Sequence, residues 1–209
     1  MSNKGTLLVL SGFSGAGKGT IVKKLVSEYD YHISISATTR SPRAGEVDGR
    51  EYYFKTRDEF QELINHNGLI EWAEYVGNYY GTPKQFVEEM LAQGKNVILE
   101  IEVQGALNVK EQYPEAVLIF VAPPSIPVLR ERLIGRGTED KETIEKRLLR
   151  AKEEAKDIKE YEYIVINDEL DACVKQIHQI IMSNQCKVEY QEQFLDTMAL
   201  ELKNLDKGI

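Results

Sequence analysis

Sulfur and imidazole are scarce in this sequence. Its two cysteines, Cys173 and Cys186, have no CxxC or Cys/His spacing around them, so they read as reduced thiols rather than as a disulfide staple or a zinc site, and a reducing cytoplasm fits. Three scattered histidines, His32, His66 and His178, make no metal constellation either. Long apolar runs are also missing. None approaches the roughly 18 residues of a membrane span, and the stretch from Leu7 to Leu10 is too short for the core of a signal peptide. Positive charge is in deficit: the formal net charge is -8, which argues against broad attachment to a nucleic-acid backbone. Neither a membrane nor a nucleic acid is expected as a partner, and any phosphate must be met by a local cluster of donors.

What remains is the composition of a globular protein, 42% hydrophobic and 29% charged over 209 residues, a length that suits one α/β domain with inserts. Fully apolar runs at Thr6 to Leu10, Asn96 to Glu102, Ala116 to Val121 and Tyr163 to Ile166 have the look of strands buried on both faces. Helical patterns lie between and after them, at Pro83 to Gln93, Ile126 to Leu133, Lys141 to Lys159 and Leu170 to Ser183. That alternation predicts a parallel sheet with helices on both faces. The segment from Ser36 to Lys84 is different, rich in Tyr, Thr, Arg and Gly, and reads as an inserted, partly β subdomain. The stretch from Leu133 to Asp140 is polar and punctuated by glycine, which suits a hinge entering a mobile lid.

One motif carries phosphate chemistry. Gly12-Phe13-Ser14-Gly15-Ala16-Gly17-Lys18-Gly19-Thr20 matches GxxxxGK between an expected strand and an expected helix. Glycines there let successive backbone N–H groups turn onto a β-phosphate, the helix N-terminus adds its dipole, and Lys18 adds a cation. Gly19 stands where a Ser or Thr usually follows the lysine, so Mg²⁺ is held either by Thr20 or through water and ATP oxygens. The GKGT ending is shared with nucleoside monophosphate kinases.

The acceptor is written further on. In Ser36-Ala-Thr-Thr-Arg40-Ser-Pro-Arg43-Ala-Gly-Glu-Val-Asp-Gly-Arg-Glu-Tyr52-Tyr-Phe54, two arginines three apart can fork one anion, and Tyr52 offers a hydroxyl. This run closely resembles the signature of the guanylate kinase family, and the resemblance extends over roughly Leu7 to Cys186. It implies that Arg40, Arg43, Tyr52 and Tyr80 hold the GMP phosphate. It also implies that Ser36, Glu71, Thr82 and Glu102 face the guanine, and that Glu100 lies near Mg²⁺. A single carboxylate can accept both N1–H and N2–H of guanine, whereas adenine presents an acceptor at N1, so a buried acceptor rejects the wrong base. Many family members carry Asp where Glu100 or Glu102 stands here, and Phe13 stands where proline is usual.

Phosphoryl transfer asks for alignment and charge neutralisation. By the resemblance, Arg136 and Arg147 reach the transferring phosphoryl with Lys18 and Arg43 assisting, Arg132 joins the ATP site with residues 12–20, and Asn167 lies near the adenine. Arg150 is left open between a lid role and pairing with neighbouring glutamates. The implied organisation is one guanylate kinase-like domain at 5–186. It comprises a P-loop core (5–35, 92–132 and 151–186), a small α+β GMP-binding insert (36–91) and a mobile lid (133–150), followed by a helical tail at 187–209. The implied activity is transfer of the γ-phosphoryl of Mg-ATP to GMP, with dGMP as a further acceptor, in purine nucleotide metabolism. A non-catalytic interaction domain of the same fold is the competing reading, weighed against the intact Lys18 and lid arginines. A homo-oligomer is left open.

Overall fold

The computed structural model describes residues 4–75, 77–135 and 140–205. In chain order the first elements are β1 (Leu7–Gly12), α1 (Lys18–Glu28), β2 (Tyr31–Ile33), β3 (Ala37–Thr38), β4 (Tyr53–Phe54), α2 (Arg57–Asn65), β5 (Leu69–Tyr75) and β6 (Asn78–Pro83). Next come α3 (Lys84–Ala92), β7 (Asn96–Glu100), α4 (Val103–Gln112), β8 (Val117–Ala122) and α5 (Ile126–Gly135). The chain closes with α6 (Lys141–Glu154), a 3₁₀ stretch (Ala155–Glu160), β9 (Tyr163–Ile166), α7 (Leu170–Asn184) and α8 (Glu192–Leu205).

Five strands form a wholly parallel sheet in the order β2-β7-β1-β8-β9. Every residue of β1 and β8 is buried, as strands covered on both faces must be. Alternation along β1 feeds two separate cores. Leu8 and Leu10 pack with Ile21, Leu25, Ile119, Leu129 and Ile177 on one face. Leu7 and Val9 pack with Val87, Leu91, Leu99 and Val109 on the other. The sheet is therefore sandwiched between helices, the architecture that the alternating pattern predicts.

A second sheet, in the order β4-β3-β6-β5, is strung between β2 and α3. Its own small core is Ala37, Phe60 and Leu69. Phe60 comes from α2, which begins in a capping box: the Thr56 hydroxyl accepts from Glu59 N and the Glu59 carboxylate accepts from Thr56 N. That reciprocal pair satisfies donors the first turn leaves open.

β1 lies in the middle of the parallel sheet. The chain leaves it first toward β2 and β7, then crosses from β7 to β8 and β9 on the other side. This reversal opens a crevice at the carboxyl ends of β1 and β7, where ligands settle in sheets of this kind. Two expectations shift. The second apolar run, from Asn96, stops being strand at Glu100, because Glu102 takes an extended N-cap conformation (φ -72°, ψ 159°) and starts α4. The long helix from Lys141 ends at Glu154 and tightens into 3₁₀ geometry before Tyr161 turns extended. Among the described residues no helix is long and apolar enough to cross a membrane.

Candidate active site

β1 ends on a glycine for a steric reason. Gly12 has φ 150°, and a Cβ there would lie 2.1 Å from the carbonyl oxygen of Val121. The chain then loops, with Gly15 and Gly17 at φ 93° and 94°, and α1 starts from Gly17 with no side chain capping it. Its first N–H groups are thus left to the loop and to whatever the loop holds. The ring of Phe13 turns inward and meets Phe120 edge-on at 5.0 Å, so this residue offers a nucleotide only its main chain. Lys18 Nζ donates to the carbonyls of Gly12 (2.6 Å) and Phe13 (3.3 Å), which folds the ammonium over the loop.

The loop is fastened from behind. Asn167, after β9, donates from Nδ2 to the Ala16 carbonyl at 2.7 Å, and its own N–H bonds the carbonyl of Ala122. A Cβ on Gly17 would come within 2.4 Å of that amide nitrogen. Arg132 of α5 donates to the Asn167 carbonyl at 2.8 Å. Arg147 of α6 donates to the Ser14 hydroxyl, bringing the helix after the glycine-rich segment onto the loop. Arg136 lies outside the described residues.

Thr20 is exposed in the first turn of α1. Across the crevice Glu100 closes β7 with its carboxylate oxygens 3.7 and 3.8 Å from where a Cβ on Gly19 would be. Burial pushes the Glu100 carboxyl above the ordinary range, opposed by the ammonium groups of Lys18 and Lys23. Among the described residues no three His, Cys, Asp or Glu side chains converge as a metal cage. One hydroxyl and one carboxylate beside a phosphate loop suit Mg²⁺, which keeps its waters and takes most of its ligands from the nucleotide.

On the small sheet, Arg40 is gripped by Glu46. Nη1 lies 3.0 Å from Oε2 and Nη2 donates to Oε1 at 3.0 Å. The same carboxylate accepts from Arg43 N at 2.7 Å. Arg40 raises its affinity for its proton through that bond, and Glu46 lowers its own for the same reason. The guanidinium stands 5.4 Å from the centre of the Tyr52 ring and 5.7 Å from that of Phe54. Tyr80 meets Tyr52 at 6.0 Å. Burial, and then Tyr80, push the Tyr52 hydroxyl up. Ser36 ties this sheet together by accepting Tyr53 N at 2.9 Å. Glu46 is a residue that sequence reasoning left without a part; its place inside the Arg40-to-Phe54 run was the available signal.

Glu71 of β5 is only 7% exposed. Its Oε1 accepts from the Thr82 hydroxyl at 2.8 Å, and burial raises its carboxyl above the ordinary value of 4.5 against the pull of Thr82. A glycine makes its space: a Cβ on Gly105 of α4 would stand 2.8 Å from Glu71 Oε2. Trp72, next along the strand, faces the other way, 43% exposed and edge-on to Tyr79. Glu102 is exposed at the start of α4 and pairs with Arg150 of α6 at 2.7 Å.

A glycine loop at a topological switch point, a lysine folded over it, an arginine-bearing helix resting on it and a second sheet with clustered arginines, tyrosines and a buried carboxylate define a P-loop nucleoside monophosphate kinase. Comparison with known proteins narrows the class. Residues 4–184 match the Guanylate kinase family. The guanylate kinase of Halalkalibacterium halodurans is 54% identical over 188 residues, 89% of this chain and 92% of the relative. That of Bacillus cereus is 53% identical over 190 residues, 90% and 93% of the two chains. The crystal structure of guanylate kinase from Anaplasma phagocytophilum aligns with a TM-score of 0.74 at 33% identity, covering 90% of this chain and 89% of that one. The chain belongs to the guanylate kinase family.

Proposed function

We propose that this chain moves the γ-phosphoryl group of ATP onto GMP, giving ADP and GDP. The observation that carries the acceptor is Glu71, a buried carboxylate held by Thr82 on the same sheet that gathers Arg40, Tyr52 and Tyr80. An ionised carboxylate there accepts N1–H and N2–H of guanine together, with Ser36 and Thr82 supplying hydroxyls and Glu102 reaching the amine. Arg40, Arg43, Tyr52 and Tyr80 take the acceptor phosphate. dGMP is proposed as a second acceptor.

On the donor side, the backbone of residues 12–20 and Lys18 cradle the ATP phosphates, and Arg132 and Asn167 hold the loop's geometry. Thr20 and Glu100 are the residues that would hold Mg²⁺, which when bound with ATP neutralises charge on the β- and γ-oxygens. Arg147 and Arg136, in a lid of residues 133–150, close over the transferring phosphoryl and exclude water, with Lys18 and Arg43 assisting. The acceptor insert is residues 36–91. Cys173 and Cys186 are both free thiols, which fits a cytoplasmic setting.

The test is ADP formation from Mg-ATP with GMP, dGMP, AMP, CMP, UMP or ribose 1,5-bisphosphate offered separately. Turnover confined to GMP and dGMP, and reduced at least about a hundredfold in Lys18→Ala, is the expected result. Equal turnover with AMP would remove the Glu71 assignment. No turnover in folded protein that binds GMP would favour an interaction domain.

A further inference from the structure

Arg150 bridges two carboxylates that belong to different parts of the molecule. Its Nε donates to Glu154 Oε1 at 3.0 Å, one turn along the same helix, and its Nη2 donates to Glu102 Oε2 at 2.7 Å, at the start of α4. The two ends differ in freedom. The Glu154 side chain is 11% exposed and that of Glu102 is 67% exposed. Glu154 is thus fixed by its surroundings, and Glu102 is a long side chain at the mouth of the crevice whose direction is given by the guanidinium.

We propose that Arg150 is a positioning residue for base recognition: by holding one oxygen of Glu102 it presents the other to the exocyclic amine of the acceptor base. The inference rests on the reading of Glu102 given under Proposed function. A carboxylate has two oxygens and about four acceptor directions, so occupation of Oε2 leaves Oε1 for a second donor. An unrestrained glutamate must give up rotamer freedom to fix on a ligand. One already held gives up less. The planar fork of arginine serves two carboxylates at once in fixed directions, which a lysine ammonium does not. The consequence is that α6, the helix whose Arg147 meets the phosphate loop, also takes part in reading the acceptor.

GMP and IMP separate this effect from others, because they share phosphate, ribose and N1–H and differ in the 2-amino group. Calorimetric titration of each into the unmodified protein, Arg150→Met, Glu102→Gln and the double variant, without ATP, reads binding alone. Both single variants are expected to weaken GMP about two- to fivefold, the range of a partly exposed ion pair. IMP affinity is expected to stay unchanged, and the double variant to be no weaker than Glu102→Gln. If Glu102→Gln shifts GMP and IMP alike, the reading of Glu102 falls and takes this inference with it. If Glu102→Gln is selective for GMP while Arg150→Met binds GMP as well as, or better than, the unmodified protein, the inference alone is overturned. Equal weakening of both ligands in Arg150→Met overturns it too, since that marks a general disturbance of the lid.

Discussion

Gly105 and Glu71 are 34 positions apart in sequence and in contact in space: a methyl group on Gly105 would stand 2.8 Å from Glu71 Oε2 and 3.3 Å from its Cδ. Gly105 lies inside α4, where alanine is the better helix former by about 1 kcal/mol, so the helix itself does not need the glycine. The carboxylate does. Gly105→Ala is expected to leave the fold intact and push Glu71 off its place at a cost of about 1–3 kcal/mol. GMP KM should rise about tenfold with ATP KM unchanged, measured by steady-state kinetics on each substrate. An unaltered GMP KM would mean that Glu71 has room to tilt.

Burial sets the pH behaviour of the same carboxylate. Glu71 titrates above the ordinary 4.5 in the folded chain, so the folded state holds this proton more tightly than the unfolded one. Its contribution to stability is therefore greatest below the ordinary value and is lost as pH rises through the raised one. The guanine recognition proposed for Glu71 runs the opposite way, since only the ionised form accepts two donors. GMP affinity should fall as pH is lowered into the raised range. In Glu71→Gln both the stability slope and this part of the binding slope should flatten, as read by denaturant melts and by calorimetry.

If Arg40 holds the acceptor phosphate as proposed, Glu46 acts on that phosphate through it. It holds both terminal nitrogens of the guanidinium over Tyr52 and also accepts the main-chain N–H of Arg43. In Glu46→Ala two arginines lose their common anchor. The acceptor phosphate must then order the guanidinium itself, so GMP KM should rise several-fold while kcat changes less. A drop in kcat with unchanged KM would place Glu46 elsewhere in the reaction.

Asn167 is buried and its amide supports the Ala16 carbonyl. Asn167→Ala leaves that carbonyl without its donor, at a cost of about 1–3 kcal/mol. A lower thermal midpoint together with a raised ATP KM and a nearly constant GMP KM is the expected pattern. A raised ATP KM at unchanged stability would point instead to direct contact with the nucleotide.

Much of the fold was legible because β1, β7, β8 and β9 are apolar runs and the helices between them keep their period. β2 was not: it has three residues, one of them the exposed Ile33, too short a run to show a pattern. α4 was missed because its buried face is Val103, Gly105, Ala106 and Val109, where small residues give little hydrophobic contrast. α2 could have been found from Thr56 and Glu59, three apart, the spacing of a capping box. At the site, motifs named side chains by type and position, and no motif names a through-space partner. That Glu46 grips Arg40, that Gly105 clears space for Glu71 and that Arg150 reaches Glu102 depend on distances set by packing. None of the three is visible in a string of letters.

The small sheet is joined to the parallel sheet by two unequal connections. On entry, residues 34–36 intervene between β2 and β3, whereas on exit β6 ends at Pro83 and α3 begins at Lys84 with nothing between. α3 is rooted below by Val87 and Leu91. Ile70 of β5 is buried in the same core as those two side chains, so the second sheet is pinned to the parallel sheet through β5 as well as through α3. The strand that carries Glu71 is thereby held from two directions, by Ile70 in that core and by Thr82 on β6.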